Sequence, residues 1–206
     1  MTNKEQTMSD EIVIRCCAPT LAAIKTGSLF NCPFVSRGEM TASLRAINHC
    51  LLHKGVCAIP LRYQDGNALI YLYRPAMLEK DLCDPIAADI LKKTGYPDDS
   101  NIHRILWLIH RLKNLNTFPH EIGLFLGYPA VDVRGFIQHG ECKYTGLWKV
   151  YESDMDQAKR LFARCRHCTK AYLQLNQEGW SLSRLTVQPR QFSYNEAERL
   201  ERKETA

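Results

Sequence analysis

No run of eighteen apolar residues occurs in this 206-residue chain, so no transmembrane helix is expected. The first residues, MTNKEQTMSDE, are polar and carry acids. They lack the basic-then-apolar order of a secretory leader, and the chain is therefore expected to be cytoplasmic. No Gly-rich phosphate loop is present, which argues against a nucleotide cradle. No internal repeat and no low-complexity tract is visible. The nine cysteines are odd in number and follow no leader, which disfavours a disulfide framework. Reduced thiols acting as small buried hydrophobes fit better.

What is present is ordinary for a globular domain. The chain is 45% hydrophobic and 24% charged, with a net charge of +5. That mild excess permits an anionic partner without demanding one. The length suits one domain, with a core spanning residues 10–188. Residues 1–9 form a polar lead-in. Residues 189–206, PRQFSYNEAERLERKETA, mix four acids with four bases and predict a charged, partly disordered tail.

The pattern between those ends predicts many helices and about four strands. Glu11 to Cys17 looks helical and is expected to end or kink before Pro19. Thr20 to Thr26 suggests a second short helix closed by Gly27. Phe30, Cys32 and Phe34 alternate as in a strand. Ser36 and Glu39 have capping-box spacing, and Met40, Leu44, Ile47 and Leu51 then share one helical face. Residues 56–63 and 68–74 are strand-like and flank Asp65-Gly66, a strong hairpin signal. Pro60 calls for an edge position or a bulge. Helices are expected over about 75–82, 85–94 and 101–114. Cys142, Tyr144, Trp148 and Val150 suggest one further strand. Ser153 is placed to cap a long helix running to about Gln177, and a short helix is expected near 182–187. Because strands and helices do not alternate regularly, the expected class is α+β: a small, largely antiparallel sheet packed with helices.

Five features carry possible chemistry. The first is FPHEIGLFLGYPAVDVRGFIQ, residues 118–138, which has the spacing of two crossed helices about a turn at Gly127-Tyr128-Pro129. Gly123 would permit close approach, and Val133 and Phe136 would pack inward. As a DNA reader, residues 119–138 would use Arg134 and Gln138. Asp132, near the start of the second helix, would repel phosphate, and Gly135 would weaken that helix. The second is His120-Glu121, with Thr117 as the cap of their helix. A neutral imidazole near a helix start suits a general base. Position 124 is Leu, so the zinc-protease pattern is absent.

The third is Cys16-Cys17 ahead of Ala18-Pro19 and a predicted helix, where Cys17 could be a thiolate nucleophile aided by Lys25. The alternative is a pair of buried thiols at a kink. The fourth is Cys165-Arg166-His167-Cys168. A structural zinc site needs four ligands, and no second CxxC exists; both thiols also fall on an apolar stripe. His103 and His110 lie two turns apart, about 10.5 Å, too far for one ion. No metal site is assigned. The fifth is the basic face Lys159, Arg160, Arg164, Arg166 and Lys170, which lacks the aromatic interleaving of a nucleic-acid groove.

Four segments together resemble one family: CAPTLAAIKTGSLF at 17–30, LIYLYRP at 69–75, FPHEIGLFLGYPAVDVRGFI at 118–137 and GLWKVY at 146–151. They are similar to an uncharacterised bacterial family, domain-of-unknown-function family 3793, common in anaerobic Gram-positive bacteria. The resemblance covers roughly residues 11–187. It singles out Cys17, Pro19, Thr20, Lys25, Thr26, His120, Glu121, Gly127, Tyr128 and Pro129 as motif members, but implies no activity. Family members often read His-Cys-Ala-Pro at the first motif, whereas Cys16 stands at that His position here.

Three function classes follow. The first is a small-ligand-binding or regulatory domain, for which the motif residues Thr20, Lys25, Thr26 and Tyr128 are the binding candidates. The second is a thiol enzyme with Cys17 as nucleophile, His120 as base and Glu121 beside it. The third is a DNA-binding regulator through 119–138. The expected partner is a small ligand or a protein, with no membrane, and the docking chemistry argues against nucleic acid. No cofactor follows from these residues.

Overall fold

The computed structural model describes residues 8–114 and 118–188. The chain opens with helix α1 (Asp10–Leu21), capped by Ser9, and strand β1 (Gly27–Pro33). Helix α2 (Arg37–Leu51) follows Ser36, whose hydroxyl accepts from Glu39 N at 3.2 Å. It buries the four expected apolar residues, Met40, Leu44, Ile47 and Leu51. A short 3-10 turn ends at Gly55, whose φ of 70° stops the helix.

Strands β2 (Cys57–Gln64) and β3 (Asn67–Tyr73) form the hairpin expected around Asp65-Gly66. Both turn residues have positive φ, 49° and 74°, as a two-residue hairpin of this twist requires. The sheet order is β1-β3-β2, all antiparallel. β2 is thus an edge strand, and its register shifts between Pro60 and Arg62: the bulge and the edge position are both present. β3 lies in the centre, and Ala68–Leu72 are buried throughout because helices cover both sheet faces.

On one face, Phe30, Cys32, Ala58, Ala68, Ile70 and Leu72 pack with residues of α1 and α2. On the other, Leu61, Leu69 and Tyr71 pack with helices α3 (Pro75–Leu82), α4 (Pro85–Lys93) and α5 (Asn101–Asn114), and with the corner formed by α6 (Ile122–Phe125) and α7 (Ala130–Ile137). A small hairpin, β4 (Tyr144–Thr145) with β5 (Lys149–Val150), then leads into helix α8 (Met155–Gln177). Helix α9 (Leu182–Leu185) closes the first face by burying Leu182 and Leu185 there. The expected α+β class is the observed one.

Several local expectations are corrected. α1 does not end before Pro19 but runs two residues past it. It stops in a paired C-terminal hydrogen-bond motif: Ile24 N donates to Pro19 O (2.8 Å) and Ala23 N to Thr20 O (3.2 Å), with Ala23 at φ 54°. The expected second helix over Thr20–Thr26 is therefore this turn, and Gly27 begins a strand. Residues 142–150 are a hairpin rather than one strand, because the chain reverses at Gly146. A Cβ there would lie 2.1 Å from the Phe162 ring. The described residues accordingly hold five strands in two sheets, not four. Ser153 does not cap α8; Asp154 does, accepting from Gln157 N at 2.7 Å. Thr117, the expected cap before His120, and the tail from residue 189 lie outside the described residues.

One buried arginine ties the ends together. Arg74 closes the apolar run of β3 and is only 1% exposed. Its guanidinium donates to the carbonyls of Thr20 (2.6 Å), Leu21 (2.6 Å), Val187 (2.7 Å) and Lys54 (3.2 Å). The α1 carbonyls it meets belong to the last turn, the partly negative end of that helix, so a cation is favoured there. Val187 N donates back to Leu21 O at 2.9 Å, and Leu182 N to Asp10 Oδ2 at 3.0 Å.

Candidate functional site

The corner that follows α5 is built on two close approaches. Gly127 has a φ of 73°, and a Cβ on it would meet the Thr26 hydroxyl at 2.6 Å. Gly123 faces Val133 of α7, where an added Cβ would lie 2.9 Å from Cγ2. The two glycines let α6 and α7 cross tightly and seat the corner on the start of β1. The Tyr71 hydroxyl donates to Phe125 O and holds it to the sheet.

Asp132 then joins the corner to the β4–β5 hairpin. Its Oδ1 accepts from the backbone N–H groups of Tyr151 (2.8 Å), Glu152 (2.9 Å) and Ser153 (3.0 Å). Its Oδ2 accepts from the Trp148 indole (2.8 Å) and the Ser153 hydroxyl. Burial works to raise the pKa of this carboxyl, but the Ser153, Tyr151 and Glu152 donors outweigh it and hold the group below its ordinary value. Asp132 therefore points inward, not toward an approaching phosphate as the sequence suggested. Gly135 permits the same docking, since a Cβ on it would meet Tyr151 Cβ at 2.6 Å.

Between the corner and the hairpin lies a cavity of about 420 Å³. Its walls are mostly apolar and include four aromatic rings, Phe118, Tyr128, Phe136 and Trp148, with His120 and Lys149 also in the lining. Tyr128 stacks on Trp148 with ring centroids 5.3 Å apart, and Trp148 meets Phe162 edge-on at 4.4 Å. The His120 ring sits edge-on to Phe136 at 4.9 Å, and the Lys149 ammonium lies 5.5 Å from the Phe136 centroid. The volume falls within the range of small-molecule sites, which are mostly apolar with a few placed polar groups.

The expected site residues distribute as follows. His120 is exposed and lines the cavity, whereas Glu121 turns the other way and is 2% exposed. Glu121 accepts from the Tyr96 hydroxyl (2.9 Å) and pairs with Arg111 (2.6 Å). The two neighbours in sequence thus face different surroundings. Tyr128 is in the cavity wall. Lys25 sits behind that wall, its ammonium 5.2 Å from the Tyr128 ring centroid and in no ion pair among the described residues. Burial pushes its pKa down.

Thr20 and Thr26 are buried in internal hydrogen bonds, the first 2.9 Å from the Ser28 hydroxyl and the second donating to Asp81. Cys17 is wholly enclosed in the core on the first sheet face. Burial raises its thiol pKa strongly, against a smaller lowering by Lys25 and Ser28. No hydrogen bond joins it to His120 among the described residues. A thiol so placed is held protonated, which is the opposite of the thiolate expected from its sequence position.

Arg134 pairs with Glu152 at 2.6 Å, and Gln138 is exposed just after α7. α6 has four residues, a single turn. In the CxxC, Cys165 is buried and Cys168 half-buried, packed toward α1, and no group of three or more metal-ligating side chains occurs among the described residues. No described helix is long and apolar enough to cross a membrane.

Sequence reasoning missed Lys149, Trp148 and Asp132 as parts of one site. The sequence reading of residues 142–150 as one strand hid the hairpin that carries Trp148 and Lys149 to the cavity. A signal was present in the two separated motif strings that the site unites, 118–137 and 146–151. No curated protein and no solved structure matches this chain. A family model described as Protein of unknown function (DUF3793) matches residues 13–186, and the chain belongs to that family.

Proposed function

We propose that this protein binds a small, largely apolar molecule in the cavity between the α6–α7 corner and the β4–β5 hairpin. One observation carries the reading: two separate motif segments, residues 118–137 and 146–151, line one space with four aromatic rings in its wall, and a buried carboxylate fixes the Trp148 ring. A rigid wall costs little to order on binding, so pre-organisation favours a ligand. In this reading His120 and Tyr128 are binding groups of the site, and Cys17 lies apart from it in the core.

The test uses N-phenyl-1-naphthylamine, a neutral aromatic probe. Its emission is expected to rise on binding, with energy transfer from Trp148 in a Trp107→Phe, Trp180→Phe background. His120→Trp, which fills the mouth, is expected to abolish the signal. Binding that survives His120→Trp, or no binding by apolar probes of any size the cavity admits, would remove the reading.

A further inference from the structure

The acids around the cavity are all engaged. Asp132, the one carboxylate that lines it, already accepts five hydrogen bonds. Glu121 is turned away to Arg111 and Tyr96, and Glu152 is held by Arg134. The cationic side chain in the lining, Lys149, is exposed and in no ion pair among the described residues. The His120 imidazole likewise has an aromatic neighbour but no hydrogen-bond partner among the described side chains. The site therefore offers aromatic surface and unspent donors, and among the described residues its lining holds no free carboxylate to repel an anion.

From this complementarity we infer that the ligand class is an aromatic anion, a carboxylate or sulfonate of up to three rings. Its ring system lies between Phe136 and Trp148, and its acid group meets the Lys149 ammonium with His120 beside it. A charge-assisted bond at the mouth of an apolar pocket orients the molecule, and the rings supply most of the buried area. The inference rests on the cavity being the binding site. It adds a sign of charge, which the reading above does not require.

The experiment compares two probes with one ring system, 1-anilinonaphthalene-8-sulfonate and the neutral N-phenyl-1-naphthylamine. The sulfonate is expected to bind about tenfold more tightly or better, a difference of about 1.4 kcal/mol. Its affinity is expected to fall with added salt. Lys149→Met is expected to bring it down to that of the neutral probe, whose own binding holds or improves. Equal affinities in the unmodified protein, or a Lys149→Met loss shared by both probes, would overturn the anion preference while leaving the cavity reading intact. Sulfonate binding that persists in both Lys149→Met and His120→Trp would place it elsewhere and also overturn the inference. Failure of both probes to bind would remove the cavity reading itself.

Discussion

Asp132 sits in a cage of donors from residues 148–153, with five hydrogen bonds converging on its two carboxylate oxygens. Asp132→Asn would set an amide N–H₂ against donors that need an acceptor. The expected cost is about 3 kcal/mol, the scale for losing charged hydrogen bonds while leaving partners unmet. Urea unfolding would measure it. The stabilisation from the lowered carboxyl pKa is present above the ordinary carboxylate range and is lost as pH falls through the folded value. The variant is therefore expected to show a flatter acid limb, and an unchanged limb would contradict the role given to Asp132.

Cysteine chemistry is decided at the same scale. Cys16, Cys50, Cys83 and Cys142 are exposed, whereas Cys17 is enclosed. With 5,5′-dithiobis(2-nitrobenzoate) at neutral pH, the four exposed thiols are expected to react first and Cys17 only on unfolding, with mass spectrometry assigning each. Rapid labelling of Cys17 would restore it as a nucleophile. Nothing in the sequence alone distinguished adjacent Cys16 and Cys17, because the difference is which side of α1 meets the sheet.

Among elements, those with strong periodicity or turn chemistry were legible: α2, α3, α4, α5, α8, the β2–β3 hairpin and the Pro60 bulge all lie where the pattern put them. The misses sit where tertiary contacts override a local signal. Pro19 lacks an N–H, yet its carbonyl is well used, accepting from Ile24 and Lys25, so the helix gains one more turn before stopping. Its stop was hidden because an alanine, not a glycine, takes the left-handed position. Ala23 at φ 54° bears a cost that glycine would not. Ala23→Gly is expected to raise stability by up to about 1 kcal/mol, the usual penalty for a side chain in this region, less the added freedom of the unfolded chain. A drop in the urea midpoint would show that the Ala23 methyl has packing worth more than the strain. The candidate site was legible only in part for a related reason: its lining runs from Phe118 to Lys149, and the contact between its two walls is made by a turn glycine and a buried carboxylate.

For the whole molecule, the thiols set a pH dependence. Burial raises the pKa of Cys16, Cys17, Cys32, Cys57 and Cys165, and that of Cys168 to about 11. In the unfolded chain these groups ionise near about 8.5. The folded state then holds more protons than the unfolded one, so stability is full below that pH and falls as pH rises through the folded values. Lys25 acts in the opposite sense, because its lowered pKa makes folding easier as the amine loses its proton. Six thiols against one amine give a net fall. The urea midpoint is expected to drop between about pH 8 and pH 10, and the drop should be smaller in Cys17→Ala and larger in Lys25→Met. A midpoint that rises over this range would reverse the assignment.

The Arg74 clamp has a consequence for how the chain can be cut and rejoined. Residues 182–187 are bonded to Asp10, Leu21 and Arg74, so the two ends of the described fold lie together across a separation of 172 residues between Asp10 and Leu182. In connectivity the fold is nearly a closed ring. A circular permutant that links residue 188 to residue 8 and opens at the Asp65–Gly66 turn would retain every strand pairing, with only the hairpin loop lost. A chain ended before α9 would instead leave the guanidinium short of an acceptor and uncover the first sheet face, so Leu182 and Leu185 near its end are as much a part of that core as Val13 and Ile14 near its start.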